Sequence, residues 1–200
     1  MKGMSRKARP IDNRAPATDE QIRAYTIGEL KALSSRIEIA DYDPCWPELF
    51  AREADRLRSL LGSRALRIEH VGSTAVPGLA AKPIIDMLLM VADSAAEDAY
   101  VPALEAADYV LRIREPNWHE HRMFKGPDTD INLHVFSSGC PEIEQMLLFR
   151  DWLRGHAADR DLYARTKLAL AERDWKYVQN YADAKAVVVE EIIVRARGGR

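Results

Sequence analysis

The chain has 200 residues and a mass of 22.6 kDa, with 47% hydrophobic and 30% charged residues, which suits one globular domain with its own core. Its 29 Lys and Arg against 31 Asp and Glu give a net charge of −2, so it lacks the positive excess of a protein that coats nucleic acid, and no such partner is expected. Cys45 and Cys140 lie far apart without CxxC spacing; they exclude a disulfide framework and a cysteine zinc site, leave one disulfide open, and as incidental thiols suit a cytoplasmic protein.

In chain order, residues 1–16 carry Lys2, Arg6, Lys7, Arg9 and Arg14 with almost no large apolar group, and no apolar run follows as it would in a signal peptide. A tail is expected over 1–34, partly disordered or with one short helix over 20–33 capped by Thr18 or Asp19, and one domain over 35–198. Arg36-Ile37-Glu38-Ile39 alternates as a half-buried strand. A helix starts after Asp43-Pro44; Trp46, Leu49, Phe50, Ala54, Leu57, Leu60 and Leu61 recur at three- and four-residue steps until Gly62. Leu66, Ile68 and His70 alternate with Arg67, Glu69 and Val71 as a second strand, which Gly72-Ser73-Thr74 ends. Residues 84–91 are apolar on both faces apart from Asp86, the pattern of a central strand and too short to span a bilayer. A helix over 95–107, a strand over 109–114, and a hairpin of His121–Lys125 with 131–136 come next. From Pro141 the chain turns helical, with a stripe of Ile143, Met146, Leu147, Phe149, Trp152 and Leu153 up to Gly155, then helices over 159–174 and 182–197. The expected fold class is α+β: a mixed β-sheet packed with helices, with a helical C-terminal third.

The chemistry concentrates in His70-Val71-Gly72-Ser73-Thr74-Ala75-Val76-Pro77-Gly78-Leu79-Ala80-Ala81-Lys82-Pro83-Ile84-Ile85-Asp86. A strand ends in Gly-Ser, a loop of small residues carries one lysine, and a buried strand presents one carboxylate. Glycine lets backbone approach a ligand, and loop N–H groups with the Ser73 hydroxyl and the Lys82 charge can hold phosphate oxygens. The spacing is not that of a Walker A loop, and an ordinary turn accounts for it as well. An ionised Asp86 inside a strand is costly unless paired or metal-bound; the bland alternative is an aspartate capping a neighbouring loop. An Asp-x-Asp magnesium site needs a second acid two residues on, where Leu88 stands. His134 shares a strand face with Asn132 and Phe136 and reaches Asp86 if the two strands are neighbours; otherwise it is a satisfied core histidine. Arg122 and Lys125 suit an acidic ligand or a solvated hairpin edge. His119-Glu120-His121 lacks zinc-site spacing.

The stretch 68–91, with Asn132-Leu133-His134-Val135-Phe136, Leu148-Phe149-Arg150-Asp151-Trp152-Leu153-Arg154, Tyr181 and Lys185, resembles the GrpB family over about residues 36–197. The resemblance implies a nucleotidyltransferase-like (polymerase-β-like) fold, some members being fused to dephospho-CoA kinase. It further implies that Gly72 and Ser73 take a phosphate role and Asp86 that of first ligand to Mg²⁺. The second ligand position falls on Leu88, and the third on the 131–136 strand, where Asn132 and His134 replace an acid. Three readings follow. In the first, an altered site transfers a nucleotidyl or phosphoryl group, with Asp86, His134 and Glu69 or His70 holding Mg²⁺ or acting as base. In the second, the domain binds a nucleotide, other phosphorylated molecule or acidic metabolite through Gly72, Ser73, Lys82, Arg122 and Lys125 without catalysis, as a sensor or accessory module. In the third, the last helices dock a partner and expose a broad apolar patch.

Overall fold

A computed structural model describes residues 16–199; the basic stretch 1–15 lies outside them. Five strands form one mixed sheet in the order β1-β2-β5-β4-β3. They are β1 (Arg67–Val71), β2 (Ile85–Val91), β3 (Val110–Glu115), β4 (His121–Lys125) and β5 (Ile131–Ser137). The single parallel pairing, β2 with β5, sets Asp86 opposite Asn132 and Leu88 opposite His134. Antiparallel β1 sets Val71 opposite Asp86, and antiparallel β4 sets Met123 opposite His134.

Side chains alternate across a sheet, so this register fixes two faces. One carries Ile85, Met87, Leu89, Ile131, Leu133 and Val135, which pack with Ala54, Leu57 and Leu61 of α2 (Trp46–Leu61) and Leu104 of α3 (Val101–Glu105). The opposite face carries Asp86 and Asn132 at one end; further along, Leu88 and Phe136 meet Ile143 and Leu147 of α4 (Pro141–Gly155). Helices α5 (Ala157–Ala171), α6 (Val178–Ala184) and α7 (Ala186–Gly198) complete the helical third. No helix among the described residues is long and apolar enough to cross a membrane.

Four elements differ from expectation. The helix expected over 20–33 is confined to α1 (Asp19–Tyr25): the Thr26 hydroxyl bonds the Ile22 carbonyl, and Gly28 adopts φ +77, so the chain continues extended. The 36–39 stretch is not a strand. Its alternation is real, but Ile37 and Ile39 dock against Leu170, Ala171 and Tyr181, and a ladder partner is met only at Ala40, in a bridge to Ala81. The 95–107 helix is reduced to α3 and a 3-10 turn (Glu97–Ala99), broken at Tyr100 with φ −141. Finally, α6 extends the last helical region to Val178 and is separated from α7 at Lys185. Both cysteines are free thiols.

Candidate functional site

Between the Asp86 face of the sheet and the last helices lies a cleft of about 610 Å³. Gly72, Ser73, Lys82, Asp86 and His134 line it, as expected. The loop that ends β1 is held from behind. On α4, Arg150 Nη1 donates to the His70 carbonyl (2.9 Å) and to Glu69 Oε2 (2.8 Å). One turn on, Arg154 Nε and Nη2 both donate to the Ala75 carbonyl, at 3.0 and 2.8 Å. Lys167 of α5 donates to the Ala80 carbonyl. Gly72 sits at φ +68, where a Cβ would come within 2.3 Å of Asp86 Oδ2, so loop and carboxylate touch only because that residue has no side chain.

Asp86 Oδ1 accepts from Asn132 Nδ2 at 2.8 Å, and His134 Nε2 stands 3.9 Å away. Burial works to raise this carboxyl, but the hydrogen bond and charge of His134, the Asn132 amide and the Lys185 charge outweigh it. The balance holds Asp86 below the usual carboxylate range, hence ionised. Behind His134 runs a chain of contacts: His134 Nδ1 lies 3.0 Å from His121 Nε2, and His121 Nδ1 lies 2.8 Å from Glu115 Oε2. His121 stacks on both His134 and Phe136. With Nδ1 of His134 turned to His121, its Nε2 is the atom presented to Asp86 and the cleft.

Lysines dominate the rest of the charge. Lys82, Lys125, Lys167 and Lys185 all line the cleft. Burial, first, and the Lys185 charge, second, push Lys167 down to about 7, with Asp86 pulling the other way. Burial likewise lowers Lys185, opposed by Asp86, and lowers Lys82, to which the Lys185 charge adds. All four line the same cleft as Asp86, and Glu29 lines it as well.

Some expected participants stand elsewhere. Arg122 points to the other sheet face, where its Nε bonds Glu97 and its Nη1 the Glu120 carbonyl; its place in the ligand set is therefore corrected. The register explains this: Arg122 pairs with Val135, whose side chain is core on the α2 side. His70 also faces α2, stacked on Phe50 at 4.8 Å with Nε2 3.0 Å from Thr74 Oγ1, so it cannot join Asp86 at a metal. Glu69 shares the Asp86 face but is held by Arg67 and Arg150 and lies opposite Leu88. Lys125 lies in the cleft lining and pairs with Asp130 at 2.8 Å.

The expected Mg²⁺ set does not assemble. Leu88 is fully buried, Oδ1 of Asp86 faces two nitrogen groups, Oδ2 lies against Gly72, and no cluster of three His, Cys, Asp or Glu able to hold a metal exists among the described residues. A hard cation wants several oxygens and little competing positive charge, so these residues do not fit it.

Sequence reasoning passed over Lys167 and Arg112 and had Lys185 only through a family likeness. A signal for Lys167 was present: Tyr163, Lys167 and Leu170 recur on the buried face of α5, and a lysine on an apolar stripe has a local reason to be there.

The sequence model of the GrpB protein family matches residues 36–195. The chain belongs to the GrpB family. A UPF0157 protein of Halalkalibacterium halodurans is 62% identical over 184 residues, 92% of this chain and 94% of that protein. The crystal structure of the conserved protein GrpB from Enterococcus faecalis is similar with a TM-score of 0.70 at 32% identity, covering 80% of this chain and 96% of that one. The Cid1 poly(U) polymerase bound to Mg 3'-dATP gives a TM-score of 0.46 at 14% identity over 66% of this chain and 44% of that one, too distant to inform the site. The GrpB-family match leaves α1 and the segment after it, up to residue 35, outside its span.

Proposed function

We propose that the cleft binds the phosphate groups of a small phosphorylated molecule, a nucleotide first among them. The observation that carries this reading is that Lys82, Lys125, Lys167 and Lys185 line one cleft with the Gly72–Ser73 backbone and Asp86, against one further lining carboxylate, Glu29. Amines driven together at a cost in desolvation are repaid by an anion that neutralises them. Their charge substitutes for what a metal supplies in two-carboxylate sites, so phosphate binding needs no Mg²⁺ held by the protein.

A second reading, transfer of a nucleotidyl or phosphoryl group, draws support from the Glu115–His121–His134 chain. That chain turns Nε2 of His134 toward Asp86 and the cleft, where the ionised Asp86 can accept a proton from an acceptor hydroxyl with His134 beside it. The lined cleft supports either reading, while Leu168, Val178, Val187 and Val194 stand exposed on the last helices, as partner docking expects.

The test is a thermal-shift series with nucleotides and CoA compounds, with Mg²⁺ or excess EDTA, on the native chain, Lys185→Ala and Asp86→Asn. Stabilisation is expected to persist in EDTA and to be largely lost in Lys185→Ala. Stabilisation that requires both Mg²⁺ and Asp86 would favour transfer. No shift with any compound would overturn the site.

A further inference from the structure

The cleft has a second, differently built wall. After α1 the chain runs as a strap along β3, the edge strand: Thr26 bridges Ile113, the Ile27 N–H donates to the Arg112 carbonyl at 2.8 Å, and Arg112 Nη2 donates to the Glu29 carbonyl at 2.9 Å. The strap then crosses to the helical side. There the Leu33 N–H donates to the Lys176 carbonyl, Lys176 pairs with Asp19, and the Ala17 N–H donates to Asp183. Segment 17–33 is therefore tied to both banks and roofs the cleft. Ile22 and Tyr25 of α1 and Leu30 of the stretch after it line the cleft from this segment, and Ile113 and Met123 from the sheet.

The cleft lining thus differs from part to part: Lys82, Lys125, Lys167, Lys185 and the Gly72–Ser73 backbone on one part, and Ile22, Tyr25 and Leu30 together with Glu29, Lys31 and Arg112 on another. A bare phosphate uses only the first. A volume of about 610 Å³ lies within the usual range for pockets that bury a whole small ligand. We propose that the strap is the specificity-determining wall, seating the flat ring of a nucleotide whose phosphates lie on the lysines. Tyr25, Leu30 and Met123 line this part of the cleft, and aromatic, aliphatic and thioether groups all pack on π surfaces. This inference rests on the phosphate-binding reading and adds to it the ligand's other half and the segment that selects it.

Calorimetric titration of the full chain with ATP, GTP, CTP, UTP and inorganic tripolyphosphate tests it. At least one nucleoside triphosphate is expected to bind ten-fold or more tightly than tripolyphosphate. In Leu30→Ser and in Tyr25→Ala that ratio should fall toward one, while Tyr25→Phe keeps it. Melting curves of the three variants show whether the fold survives, and Tyr25→Phe and Leu30→Met give conservative comparisons if it does not. Equal binding of nucleotides and tripolyphosphate by the native chain, or an unchanged ratio in folded Leu30→Ser and Tyr25→Ala, would overturn the strap's role and leave the phosphate site standing. Failure of every probe, tripolyphosphate included, would overturn the phosphate site and the strap's role with it.

Discussion

His70 is the penultimate residue of β1, just before the loop, yet it belongs to the core. Burial, first of all, pushes its imidazole down to about 4; the Asp86 charge opposes this, and Arg154 and Arg150 add to it. The folded state thus binds fewer protons than the unfolded chain between pH 6.5 and about 4, so stability is intact above 6.5 and falls as the medium is acidified through that window. The full shift is worth ~3 kcal/mol at most. Urea unfolding at pH 6.5 and pH 4.5 should show the native chain losing more stability than His70→Gln; equal losses would mean the ring carries no such cost. At this scale much was readable in advance. Gly72, Ser73 and Asp86 announced themselves because glycine at a strand end and a carboxylate in an apolar run are local anomalies. Which face His70 and Arg122 took was hidden, because alternation gives two faces and only the strand register says which one meets a ligand.

Helix α4 shows the same division. Its apolar stripe was legible, and so was its stop at Gly155. The task of Arg150 and Arg154 was not, because a helix period says nothing of the carbonyls on another element that its polar side chains will meet. Arg154 is partly exposed and bonds one loop carbonyl twice. Replacing it with alanine should change unfolding stability by less than ~1 kcal/mol while weakening nucleotide binding about ten-fold by titration, since the loop behind the phosphates loses its tether. A variant that binds normally would assign the tether to Arg150 and Lys167. The 36–39 segment failed as a strand for a related reason: its period was right, but helices rather than a neighbouring strand received its apolar side chains.

The molecule as a whole carries a net charge of −2, which gave no hint of the lysines gathered in the cleft. Composition averages over the surface; the fold sorts it. Lys82, Lys125, Lys167 and Lys185 come from four separate segments, and the packing of α5 and α7 on α4 and on Val76 and Leu79 of the loop after β1 brings the helical lysines to the others. Because the attraction is electrostatic and the cleft is open to ions, raising NaCl from about 0.05 M to about 0.5 M should weaken nucleotide binding by roughly ten-fold. Salt-independent affinity would assign the grip to the apolar wall instead.

The side-by-side alignment of β2 with β5 has a consequence for how the chain matures. Asp86 and Asn132 are 46 residues apart, and they become neighbours only when the excursion through β3 and β4 has returned. Closing so long a loop carries an entropic cost before any reward arrives. A guest spanning both residues recognises the completed polypeptide and no partly assembled form, so its presence would slow global opening more than local fraying at either end.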